Sequence, residues 1–182
     1  TDGVSLGRYC RENRSLVSYD MLPEHLVKTL VVSEDHRFFE HSGLDFWSYF
    51  RVLKGIFTAN SQGGASTLTQ QTAKNLFGTR SVELRGKLAG FGKPVELLIS
   101  KTKEWIIAVH LEEKFTKEEI IAMYLNTVPF NNEAYGIKVA ADTYFNKSLD
   151  SLNLQESALL VGMLQGTHRF NPVNFPERAL RK

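Results

Sequence analysis

The chain has 182 residues, 42% hydrophobic and 23% charged, enough apolar material for one buried core, and it reads as a single globular domain. Its 22 basic and 20 acidic residues leave a net charge of +2, so nucleic acid is not an obvious partner and any positive surface must arise from clustering. A single cysteine, Cys10, excludes an internal disulfide and a cysteine-based zinc motif, and no run approaches the roughly 20 apolar residues needed to span a bilayer.

In chain order, the first 21 residues carry Arg8, Arg11 and Arg14 with little periodicity. Pro23 then stands at a first helical position before "EHLVKTLVV", which predicts a helix running into "SEDHRFFEHSGLD". After Gly43, "LDFWSYFRVLKGIFTA" predicts a second helix carrying Phe46, Trp47, Tyr49, Phe50, Ile56 and Phe57. The "NSQGG" loop follows, and Thr67 three residues before Gln70 gives a capping-box pattern opening "TLTQQTAKNLF". Residues 78–94 hold four glycines and Pro94, and predict a connection with at most a short helix. From Val95 to about Phe115 the pattern is helical, and Thr116 with Glu119 and Asn153 with Glu156 predict two further capped starts. Alternating strand patterns are nearly absent, so the expected fold is mainly α.

Three constellations carry chemistry. Glu34, with Asp35 and Arg37 beside it, ends an apolar helix and precedes Phe38 and Phe39. Partial desolvation would suit it to general-base work, and the alternative is a solvated helix end. The stretch "GGASTLTQQTAKN" offers Ser66, Thr67, Gln70, Gln71, Lys74 and Asn75 around a helix N-terminus that attracts anions such as phosphate, or else is an ordinary capped helix after a glycine loop. In "SKTKEW", Lys103 and Glu104 are adjacent with Lys101 near, which by itself is most simply a solvated face. Together they suit transfer of a sugar from a diphosphate carrier, in which a carboxylate takes the acceptor's proton and cations hold the leaving group.

These stretches, with "EEIIAMYLN", stand in the order and form of four motifs of the peptidoglycan glycosyltransferase domain (glycosyltransferase family 51) of class A penicillin-binding proteins and monofunctional glycosyltransferases, which nearly the whole chain resembles. The resemblance implies a lysozyme-like, two-lobed, mainly α domain with a membrane-associated small lobe, polymerising lipid II into β-1,4 glycan with release of undecaprenyl diphosphate. It implies Glu34 as general base and Glu104 as the second essential carboxylate. Asp35, Arg37, Gln71, Lys74 and Lys103 would line the diphosphate site, with Ser66, Thr67 and Asn126 as weaker, more structural candidates. No protein metal ligand is assigned, and the expected metal role is a divalent cation, magnesium or manganese, bridging the diphosphate. The implied partners are lipid II, the growing lipid-linked glycan, the membrane surface and proteins of cell-wall synthesis. The implied location is the outer face of the bacterial cytoplasmic membrane, with an anchor before Thr1; whether a transpeptidase domain follows Lys182 is open.

Two departures stand out. The third motif usually begins Arg-Lys, whereas here it begins Ser100-Lys101, and Glu34 and Glu104 lie 70 residues apart, more than the family usually shows. The arginine expected between the second and third motifs falls on Arg80 or Arg85. Ser100 and Lys103 spell S-x-x-K without the partner motifs of a transpeptidase, and His36 and His41 lack a zinc pattern. A lysozyme-like hydrolase and a noncatalytic glycan-binding scaffold are the rival readings, and Lys74 and Lys103 argue against the hydrolase.

Overall fold

The computed structural model describes residues 13–57, 64, 66–79, 92–166, 170–174 and 176–180. Among them are eight α-helices: α1 (Glu24–Glu34), α2 (Phe46–Phe57), α3 (Leu68–Phe77), α4 (Gly92–Lys114), α5 (Lys117–Thr127), α6 (Ile137–Phe145), α7 (Leu154–Leu164) and α8 (Pro176–Leu180). The mainly α expectation holds. The only sheet among the described residues is a parallel pair of two-residue strands, β1 (Asn13–Arg14) and β2 (Ala134–Tyr135), with Asn13 opposite Ala134.

Helix starts follow the local chemistry. Thr116 and Asn153 each accept a hydrogen bond from the backbone of the glutamate three residues on, and that glutamate's carboxylate accepts from the cap residue's own N–H. Only half of the third predicted box forms. Thr67 accepts from the Gln70 N–H, but the Gln70 side chain donates to the Gly43 carbonyl at 3.1 Å, because loop 41–45 lies within its reach. Pro23 is the cap of α1 rather than its first residue. Helix α4 opens at Gly92, three residues earlier than expected, because a proline is tolerated in a first turn, where its missing N–H has no intrahelical acceptor anyway. Residues 80–91 of the predicted connection, with Arg80 and Arg85, lie outside the described residues.

The core sits where α1 packs on α7 and where α3 packs on α4 and α5. Leu26 and Leu30 of α1, Ile120, Ile121, Tyr124 and Leu125 of α5, and Leu160 and Met163 of α7 are fully buried in one cluster that also takes in Phe38 and Leu68. Each such aliphatic side chain contributes about 1.5–3 kcal/mol over an exposed one. The cluster therefore fixes three helix ends at once: the C-terminus of α1, the N-terminus of α3 and the C-terminus of α7. Gly136, with φ +84°, lets the chain cross α5, since a Cβ there would lie 2.9 Å from the Asn126 carbonyl oxygen.

Candidate active site

Those three helix ends, with α2 and α4, enclose an open groove of about 600 Å³. Val32, Ser33, Glu34 and His36 come from the end of α1, Arg51 from α2, and Gln71 and Lys74 from α3; Gly64 and Ser66 precede α3. Lys101 and Glu104 come from α4, and Leu164 and Gln165 from the end of α7. A smaller recess shares Glu34, His36, Arg51, Gly64 and Ser66 with it and adds Asp35, Asp45, Ser48 and Thr67.

At one end stands Glu34. Its Oε2 accepts a hydrogen bond of 3.1 Å from Gln71 Nε2, while Oε1, shielded from solvent, has no partner among the described residues. A desolvated carboxylate oxygen with its lone pairs unused is costly to keep. The Gln71 carbonyl accepts in turn from the Tyr124 hydroxyl at 3.3 Å. At the other end Glu104 is 1% exposed. Lys101 Nζ donates to its Oε2 at 2.6 Å and to Ser66 Oγ at 2.9 Å, and Thr79 donates to its Oε1 at 3.2 Å.

The frame between the ends is built by Asp35 and Thr67. Asp35 ends α1; both of its oxygens lie 3.1 Å from His41 Nε2, and Oδ2 accepts the Leu68 N–H at the first turn of α3. A carboxylate at a helix N-terminus meets the positive end of the dipole, which locks α1 to α3. Thr67 donates to the Gly43 carbonyl at 2.7 Å. Gly43, with φ +86°, sits so close to α4 that a Cβ would lie 3.0 Å from the Ala108 carbonyl group.

Of the ten residues expected at the site, the structure brings Glu34, Ser66, Gln71, Lys74 and Glu104 to the groove, and Asp35 and Thr67 to the adjoining recess. Three are elsewhere. Arg37 pairs with Glu40 at 2.8 Å and with Asp45 at 3.5 Å, and lines a separate cavity with His41, Phe46 and Trp47. Lys103 is exposed on α4, and Lys101 reaches the groove in its place, because residues three apart share a helix face and 103 is turned away from 104. Asn126 clamps Val17, accepting from its N–H at 2.9 Å and donating to its carbonyl at 2.8 Å. Sequence reasoning gave no site role to Lys101, although the i, i+3 spacing to Glu104 signals it, and none to Tyr124. Leu164 and Gln165 carried no signal, and Arg51 none toward the groove, since the fold alone brings them there.

The transglycosylase family model matches residues 2–182. The chain belongs to that family. It is 35% identical over all 182 residues to penicillin-binding protein 1A of Escherichia coli (strain K12), covering 20% of that protein. It is 37% identical over 173 residues, 94% of the chain, to penicillin-binding protein 1A of Aquifex aeolicus (strain VF5), covering 22% of it. The corresponding protein of Neisseria flavescens is 33% identical over 180 residues. The chain thus spans about a fifth of the length of the relatives it matches. As a member of this family it is an enzyme domain of the peptidoglycan glycosyltransferase kind that the four motifs indicated.

Proposed function

We propose that residues 1–182 form one catalytic domain that polymerises lipid II into β-1,4-linked glycan with release of undecaprenyl diphosphate. The observation that carries this reading is the groove itself, which Glu34 lines together with Arg51, Lys74 and Lys101. In the reaction Glu34 takes the proton from the 4-hydroxyl of the acceptor, lipid II. The freed oxygen attacks the anomeric carbon of the growing chain from the face opposite the diphosphate, and the carbon–oxygen bond to the diphosphate breaks with inversion. Lys74, Lys101 and Arg51 hold the negative charge that collects on the leaving group in a partly enclosed site, where such charges act strongly. Glu104 keeps Lys101 aimed, and Lys101 in turn holds Ser66 at the mouth of α3. Asp35 and Thr67 serve by fixing α3, and Gln71 by holding Glu34.

A magnesium or manganese ion enters this reading only as a counter-ion carried by the diphosphate oxygens. Among the described residues no group of three or more His, Cys, Asp or Glu side chains converges to hold one, so no step is routed through a metal. The two-lobed, lysozyme-like shape and the membrane-facing lobe belong to the same proposal. They are supported by α2, where Phe46, Trp47 and Phe50 are 75%, 67% and 62% exposed, beside exposed Arg51 and Lys54. Such a face suits a helix lying in the lipid interface, where it would receive the polyprenyl tail. No described helix is long and apolar enough to cross a membrane. The proposed setting is the outer face of the bacterial cytoplasmic membrane, alongside other proteins of cell-wall synthesis.

The test is conversion of labelled lipid II to polymer in detergent, with Glu34→Gln and a glycan-cleavage control. Polymer that vanishes in the variant supports the reading. Shortened glycan without polymer replaces it with a hydrolase, and neither activity from folded protein leaves a glycan-binding scaffold.

A further inference from the structure

Tyr124 is the one fully buried phenol in the core cluster, set among Ile120, Ile121 and Leu125 on α5. A phenylalanine would fill the same space without a hydroxyl to satisfy, and a buried hydroxyl is costly unless it is bonded. Among the described residues this hydroxyl reaches one partner, the Gln71 carbonyl, across the contact between α5 and α3. The other end of the same amide donates to Glu34. Three helices therefore meet in a directional chain: O–H to carbonyl, then N–H to carboxylate.

We propose that Tyr124 is a positioning residue of the transfer reaction, holding the Gln71 amide in the one place from which it orients Glu34. The inference rests on the reading of Glu34 as base. Burial first, and then the nearby Glu34 charge, push the Tyr124 phenol well above its ordinary value, so it stays an O–H donor and cannot act as an acid or base itself. Without the hydroxyl, the Gln71 carbonyl is left desolvated and unbonded. Its side chain lines the groove, so it recovers a partner by turning toward solvent there, and this withdraws the N–H from Glu34. The Glu34 side chain then samples several rotamers, and only a fraction of encounters find its carboxylate aimed at the acceptor hydroxyl.

The experiment measures kcat and KM for lipid II polymerisation in Tyr124→Phe, in Gln71→Met, which is close in shape and lacks both amide ends, in the double variant, and in Glu34→Gln, with melting temperature recorded for each. The expected result is a fall in kcat of about five- to tenfold in Tyr124→Phe with KM changed less than about twofold. In the Gln71→Met background the same substitution should cost almost nothing further, because the path to Glu34 is already cut. A purely structural role would give equal losses in both backgrounds, and that result overturns the proposal, as does an effect carried by KM or an unchanged kcat. If Glu34→Gln polymerises normally, the base reading fails and this inference with it. If Glu34→Gln is inactive while Tyr124→Phe is normal, only the positioning role fails.

Discussion

The two ends of the groove hold the same side chain in opposite conditions. Glu34 closes α1 with one oxygen held by an uncharged amide and the other bare. Glu104 lies inside α4, 1% exposed, with both oxygens bonded and a lysine ammonium 2.6 Å away. The difference separates two carboxylates that sequence motifs present as a pair: one is held at a single oxygen by an uncharged amide, and the other is bonded at both oxygens and holds a cation in place.

Substitutions at the two glutamates should bring out that difference. Glu34→Gln is expected to cost about a hundredfold or more in polymerisation, the usual scale of a lost general base, with little change in stability, since the oxygen it alters has no partner. Glu104→Gln should cost activity and also about 1–3 kcal/mol of stability, because it leaves Lys101 beside a neutral, desolvated amide. Urea midpoints measured with polymerisation on both variants test this. Equal loss of stability at both ends would mean that Glu34 is as much a structural anchor as Glu104. A step smaller in effect, Lys101→Ala should lower polymerisation about tenfold or more, while Lys103→Ala, altering an exposed side chain, should change it less than twofold. The reverse ranking would move the diphosphate site to the outer face of α4.

The contrast between Lys101 and Lys103 also marks how far the sequence could be read. The positions of α1 to α5 and α7 and two complete capping boxes were legible because local spacing determines them, and Thr116 and Asn153 meet their glutamates within one turn, whereas α6 and α8 were not expected. The Thr67 box was legible only in part, since the Gln70 side chain is claimed by Gly43, 27 residues away in sequence. Motif membership brought Lys103 and Arg37 into the expected site, but the helix face and a local ion pair decide where each points. Asn126 belongs to a site motif and yet secures Val17, a partner 109 residues distant that no local pattern announces. Tyr124 reads as one more apolar residue of an amphipathic helix; only the packing of α3 against α5 reveals what its hydroxyl touches.

A third region separates binding to a surface from chemistry in the groove. If α2 lies in a lipid interface, Trp47→Ser with Phe50→Ser should weaken association with anionic phospholipid vesicles several-fold. Turnover of a lipid II analogue with a short, soluble tail should stay within about twofold. Loss of both together would place the aromatic face inside the catalytic unit.

The smallest effect is expected at Asp45, a carboxylate as firmly held as Glu104 but lining the recess and not the main groove. Its oxygens accept the Trp47 N–H at 3.0 Å, capping α2, and the Ser48 hydroxyl at 2.6 Å, and they face Arg37. Burial opposes its charge, but the hydrogen bonds from Ser48, the Arg37 guanidinium and the Trp47 amide together outweigh burial and hold the carboxyl below its ordinary value. A carboxylate lowered in the folded state contributes stability that is complete above the ordinary aspartate range and is lost as pH falls through the lowered value. Asp45→Asn keeps the capping oxygen and removes the charge, so the variant should be less stable than the parent by about 1 kcal/mol or less at neutral pH. The gap should close in acid well below the ordinary aspartate range, where the parent's own carboxyl is protonated. Denaturation curves at the two pH values check this, with polymerisation at neutral pH expected to stay within about twofold. A gap that persists in acid would mean that the asparagine disturbs the α2 cap by its shape, and a large loss of activity would make the recess part of the catalytic groove.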